Sequence, residues 1–365
     1  MTFSMTDTGL AGRLLQKGIL APSADNSQLW KFKTQLDDAV IDIHLDKDRL
    51  ANFCDVGLFA PYISAGAVIE NISVAASEER RQIQTEYLPD MQEPLWVARL
   101  RVSEPCRIFP HPHSKVMERR QTNRKFYEKG FRISREKFLE LNKAVESGGS
   151  CELFWIERED ANYKAITKII GHADQLRFEI RRLHEELFRM IRFEVSEVER
   201  TRDGLDFRTM EAGPGGEWIF KGISSWQRMK ILNKLGMSRI FNSYARQQIA
   251  SSSAVGILVS KTKQPQDYIR GGEVMERLWH EMTVQDLALQ PMEGLPIFLS
   301  DLAVTGGNDL TELQRNHLRE LEEEFYEISR IPREYTIVLL FRAGHARPAS
   351  IRSVRRPLQS FMLGV

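Results

Sequence analysis

The chain has 365 residues, 42% of them hydrophobic, and its 51 Lys and Arg against 50 Asp and Glu give a formal net charge of +1. That length and apolar content bury a sizeable core in one large or two medium domains. The balanced charge calls for neither nucleic acid nor a membrane as partner, and basic groups matter only where they cluster. Cys54, Cys106 and Cys151 lie far apart and form no CxxC or metal spacing. No basic segment followed by an apolar run opens the chain, and the longest apolar runs are strand-sized. A reduced, cytoplasmic protein without a bound metal is therefore expected.

In chain order, the spacing predicts a helix over 8–19, broken by Ala21-Pro22-Ser23, then a strand over 30–35. Residues 41–45 alternate apolar and polar, as a half-buried strand does. Residues 60–76 read as a helix with Ile63, Ala67, Val68, Ile72 and Ala75 on one side, and 96–102 closes this first segment as a strand. The prolines of 105–112 mark a linker. The second segment opens on 119–127. It continues with a helix over 135–147, a strand over 151–156 and two long charged helices within 160–199. A strand over 254–260, a helix over 272–289, a turn over 291–296, a helix over 309–329 and a strand over 335–342 follow. The chain ends on a basic, then apolar, tail over 352–363. Met275, Leu278, Met282 and Leu289 form a core stripe, and the charged runs at 179–200 and 315–324 are solvated helix faces. His111 and His113 lack a Cys or acidic neighbour in sequence, and His280 reads as a packed histidine. Between 204 and 242, Trp218, Phe220 and Trp226 stand among basic residues; this stretch is either a lid over a ligand or a docked surface element.

Four short segments carry candidate chemistry. In Ala21–Trp30, a proline ends the helix, and Ser23, Asn26 and Gln28 either cap backbone groups of a turn or present amides and a hydroxyl to a heteroaromatic ring. In Arg119–Lys125, three arginines and Thr122 are a basic surface or a phosphate site, for which the planar guanidinium fork is suited. Leu289–Gly294 is a helix stop or an exposed backbone where glycine lets a ligand approach. Arg352–Leu358 is a loose basic tail or a second arginine clamp.

Together and in this order, the four segments resemble those of the FMN-dependent nitroreductase family. Ala21–Trp30 is similar to its APSSxNxQPW segment and Arg119–Phe126 to its RRSxRxF opening. Gln290–Gly294 is similar to its P-[IM]-E-G turn and Arg352–Leu358 to its C-terminal arginine segment. In that family's homodimer the APSSxN loop reaches across the interface. Here one such loop lies in the first segment and one of each other motif in the second. The resemblance is therefore to the fused, Acg-type branch, and Tyr62–Ala67 is similar to that branch's LISCGA helix start. The resemblance implies an α+β nitroreductase fold with mostly antiparallel central sheets flanked by helices. It implies two tandem halves, 8–104 and 115–365, forming an intramolecular pseudo-dimer that holds one FMN per chain.

Carried over by position, Arg119, Arg120, Thr122 and Arg124 would contact the FMN phosphate and ribityl chain, and Arg352, Arg355 and Arg356 would complete the clamp. Pro22, Ser23, Ala24, Asn26 and Gln28 would line the isoalloxazine. Gln290, Pro291, Met292, Glu293 and Gly294 would face its N5 side, with the Glu293 backbone N–H as the N5 donor. Thr122 replaces the family's usual serine and Leu29 its usual proline, and Tyr244 and Gln247 stand near where the family often has Asn and Lys. The resemblance implies an oxidoreductase that takes a hydride from NADH or NADPH and reduces a small-molecule electron acceptor, a nitroaromatic, quinone or similar electrophile. No side chain is assigned as general acid or base. The alternatives are a flavin-sequestering protein with a lid and no turnover, or a scaffold without flavin.

Overall fold

The computed structural model describes residues 9–35, 39–50 and 52–364; Thr8, where the first expected helix begins, and Val365 lie outside the described residues. The first segment comprises α1 (Leu10–Gly18), β1 (Trp30–Gln35), β2 (Val40–Leu45), α2 (Phe59–Glu78), β3 (Ile83–Tyr87) and β4 (Trp96–Val102). The second comprises α3 (Arg135–Glu146), β5 (Cys151–Glu157), α4 (Tyr163–Glu179), α5 (Arg181–Met190), β6 (Ile191–Arg192), α6 (Val195–Thr201), β7 (Leu205–Asp206), α7 (Gly216–Ile223), α8 (Trp226–Lys234), α9 (Met237–Ala250), β8 (Ala254–Ser260), α10 (Pro265–Val284), β9 (Ala288–Pro291), α11 (Gly294–Thr305), α12 (Glu312–Ser329) and β10 (Thr336–Gly344).

Each segment builds one antiparallel four-stranded sheet, ordered β1-β2-β4-β3 in the first and β5-β8-β10-β9 in the second. The alternation at 41–45 suggests one wet face, yet β2 is covered on both. Its buried Asp42 stands opposite Arg99 of β4, which donates from Nε at 2.8 Å, so the polar residue is paired rather than solvated.

The segments meet along α2 and α10. A Cβ on Gly66 would stand 1.9 Å from the Ile269 carbonyl oxygen, and one on Gly272 would stand 2.0 Å from that of Ile63. Only glycine lets the two backbones approach so closely. Helix α2 is consequently buried nearly all round, not on one side. The stretch Phe53–Glu78 is long and apolar enough to cross a membrane, and 83% of its apolar window is buried inside the fold. The chain's end ties the segments again: Leu363 donates its N–H to the Phe32 carbonyl at 2.7 Å, and Phe361 packs on Trp30 and Phe32.

Several boundaries differ from the sequence reading. Strand β3 was not anticipated from its mixed pattern. The charged stretch 160–199 is three helices, not two, because the chain is extended at Ile180 and again at Ile191. The helix expected over 272–289 runs from Pro265 to Val284. Proline suits a first helical turn, and the chain reverses at Asp286, whose φ is 53°. Leu289 therefore lies on β9, opposite Ala343 of β10, and not on a helix stripe. The turn expected over 291–296 instead starts α11, where Pro296 falls in the first turn and its missing N–H costs nothing.

Candidate functional site

A cavity of about 300 Å³ opens among the loop after α1, the start of α2, α4, and the β9–α11 connection. The loop enters it by a strained path. Asp25, Asn26 and Gln28 all take left-handed φ angles of 47°, 56° and 52°, which non-glycine residues adopt only when neighbours enforce them. Enforcement comes from the second segment. Asn26 Nδ2 donates to the Gly204 carbonyl at 3.0 Å, Gln28 Nε2 to that of Arg202 at 2.9 Å, and the Arg356 N–H to Gln28 Oε1 at 2.9 Å. Asn26 and Gln28 thus fasten the loop from behind, while Pro22, Ser23, Ala24 and Asp25 line the cavity.

The second motif reaches the same cavity by pairing with β9. Thr122 bridges Leu289, and the Asn123 N–H donates to the Leu289 carbonyl at 3.0 Å. The fully buried Arg342 locks the arrangement, donating to Gln290 Oε1 and to the Lys125 carbonyl, each at 2.7 Å, with its guanidinium over Tyr127. Thr122 and Arg124 consequently share the cavity wall with Gln290, Pro291, Met292, Glu293 and Gly294.

Arg124 donates from Nη1 to the Thr209 carbonyl at 3.3 Å, and among the described residues no carboxylate lies within ion-pair distance of it. Burial pulls its pKa down, opposed by Asp25. Asp25 is itself held by Arg177 at 3.1 Å. Burial also pushes Asp174 up to about 6 against the pull of Arg177. Glu293 is pushed up to about 8 by burial, despite the Leu340 N–H it accepts at 3.3 Å, so it is mostly protonated at neutral pH. Burial raises the Cys54 thiol further above its usual range. One wall is therefore polar, with Arg124 its cation unpaired by a carboxylate among the described residues. The lining is also apolar over Phe59, Ile63, Met275, Trp279, Phe298 and Leu339.

The remaining expected site residues turn away. Arg119 lies on the surface, paired with Asp286 at 2.8 Å. Arg120 is buried against Glu276 at 3.0 Å, with its guanidinium over Trp279. Arg352 donates to the Arg120 carbonyl, and Arg356 stacks on Phe361. Arg355 spends its donors on the carbonyls of Ile19, Leu20 and Ala21 and on Asn26 Oδ1, at 2.9–3.0 Å. These carbonyls lie just past the C-terminal end of α1, an end whose dipole favours cations. Burial, with Arg120 nearby, pushes Arg355 down to about 9.

Of the two readings of 204–242, its aromatic residues fit the docked element rather than the lid. Trp218 is 82% exposed, Phe220 packs among Phe188, Phe207 and Phe241, Trp226 lies on His184, and none of the three lines the cavity. Phe220 and Trp226 instead pack against a small core that includes Phe178 of α4 and Leu187 of α5. Only the stretch near Thr209 touches the polar wall, through Arg124.

Asp25, Asp174, Arg177 and Trp279 were missed by sequence reasoning. Asp174 and Arg177 sit one turn apart on α4 and read as an ordinary charged helix face. Met275 is both core and cavity wall. Tyr244, in contrast, packs on Phe126 outside the cavity.

No family model matches the chain. It is 26% identical over 352 residues to the uncharacterized protein MT1398 of Mycobacterium tuberculosis, an alignment covering 93% of this chain and 46% of that protein. The chain thus spans about half of that relative's length. Among solved structures, it is similar to the FMN-dependent nitroreductase NfnB of Mycobacterium smegmatis in complex with NADPH, with TM-score 0.40 and 9% identity over 69% of this chain and 97% of that one. It is also similar to a nitroreductase with bound FMN from Bacteroides fragilis, with TM-score 0.37 and 9% identity over 68% and 95% of the two chains. At these scores the likeness is partial.

Proposed function

We propose that the chain binds one FMN in this cavity and works as a nitroreductase-type oxidoreductase, using NADH or NADPH to reduce a nitroaromatic, quinone or similar electrophile. The observation that carries this reading is Arg124: a partly buried guanidinium on the wall of a cavity, unpaired by a carboxylate among the described residues, beside Thr122. Such a charge is costly unless an anion meets it, and a phosphate monoester suits the pair. The apolar part of the lining suits a flat heteroaromatic ring, and the volume lies at the lower end of the range of small-molecule sites. FMN would supply the redox chemistry when bound. Arg124 and Thr122 would hold its phosphate, and Phe59, Met275 and Trp279 its ring. Glu293, just before the first turn of α11, would turn backbone N–H groups toward the ring edge, where helix starts leave donors free.

Because Pro22–Asp25 come from the first segment and the other motifs from the second, the two segments behave as halves of one pseudo-dimer, one site per chain. We favour turnover over sequestration, since the aromatic residues of 204–242 do not close over the cavity. The test is the visible spectrum of purified protein with its flavin-to-chain ratio, followed by anaerobic NADH or NADPH. A flavin spectrum, a ratio near one and bleaching within minutes are expected. A colourless protein that ignores added FMN overturns the reading, and a flavin that stays oxidised overturns turnover.

A further inference from the structure

The helices α7, α8 and α9 have an unusual outer face. Their inner residues, among them Ile223 and Met229, build the small core against Phe178 and Leu187. On α8 and at Leu235 just after it, Lys230, Ile231, Lys234 and Leu235 are exposed while Met229 is buried. Leu235 is 81% exposed and Ile231 63%; Ile240 on α9 and Trp218 and Ile219 on α7 are exposed as well. Single exposed apolar side chains are ordinary, but five within 216–240, interleaved with Arg228, Lys230, Lys234 and Arg239, are not. Among the described residues, no carboxylate pairs with those four cations, whereas Lys221 beside them is taken up by Glu194 and Glu217.

We propose that this face docks on an anionic lipid surface. The charge complementarity is direct: each basic residue near such a surface adds to the attraction. Membrane-surface binding draws on both buried apolar area and attraction of Lys and Arg to anionic lipid, and this face offers both. A nucleic acid would meet the cations but leave Trp218 and Leu235 wet, so it fits the face less well. The near-neutral net charge of the whole chain hides the patch, which only the folding of 216–240 into three packed helices assembles.

The test is flotation of the full chain with vesicles of phosphatidylcholine alone or with about 30% phosphatidylglycerol added, at about 0.1 M and about 0.5 M salt. Binding to the anionic vesicles only, weakened at high salt and accompanied by a blue shift of tryptophan emission, is expected. Lys230→Glu with Lys234→Glu should lower the bound fraction about tenfold or more. Trp218→Ser with Leu235→Ser should lower it severalfold at unchanged charge. All four side chains are exposed, so both variants should melt as the wild type does. Absence of binding, equal binding to both vesicle types or indifference to either double variant overturns the proposal. So does a wild-type dimer that Leu235→Ser makes monomeric, which would make the face a contact between copies. Flavin content, read in the same preparations, should be unchanged in every variant, so failure here is separable from failure of the flavin reading.

Discussion

Two arginine-rich stretches, 119–125 and 352–356, look interchangeable as sequence but end in different chemistry. In the first, one guanidinium, that of Arg124, reaches the cavity without meeting a carboxylate among the described residues, while Arg119 and Arg120 are taken up by Asp286 and Glu276. In the second, Arg355 is consumed by the carbonyls just past α1. A guanidinium serves a ligand only where nearby acceptors have not already saturated it. Arg124 has one carbonyl and Arg355 a full set.

The largest effect that sharpens this contrast is on stability. Arg120→Met leaves Glu276, fully buried, without the partner that holds its pKa down against the upward push of burial. A loss of about 3–5 kcal/mol in urea unfolding is expected. Arg355→Met strands the carbonyls of Ile19, Leu20 and Ala21 and frees the strained loop at Asn26, for about 3 kcal/mol by the same measurement. An unchanged urea midpoint would break the claim that Arg355 is structural. Arg124→Ala should behave in the opposite way. Stability should hold or rise, while FMN affinity, followed by fluorescence quenching, falls about tenfold to a hundredfold.

A pH series tests the same wall. Glu293 is raised in the folded chain from 4.5 to about 8 by burial. The folded state therefore keeps a proton that the unfolded state releases, and stability falls as pH rises through that window. Glu293→Gln should remove this slope, gaining on the wild type between about pH 5 and about pH 8 in urea midpoint. Equal differences at both ends would mean the carboxyl is not buried as described. The smallest effect belongs to Arg119→Ala. Its pair with Asp286 is exposed, so stability should move by no more than about 0.5 kcal/mol and flavin affinity hardly at all.

The sequence by itself determined most helices and strands, through apolar spacing and proline breaks. It also marked the loop 21–28, Thr122, Arg124 and the 290–294 stretch, whose residue types suit a phosphate and a flat ring. It could not assign each arginine, because the carbonyls that take up Arg355 lie just past α1, more than 300 residues from it in the chain. Nor could it separate cavity wall from core. Met275 and Trp279 are apolar residues on a buried helix in either case, and only the crossing of α10 over α2, set by Gly66 and Gly272, turns them toward the cavity. The fate of 204–242 was likewise a tertiary decision. Phe220 and Trp226 pack into a core shared with α4 and α5, while Trp218 stays exposed, and no local pattern distinguishes the three.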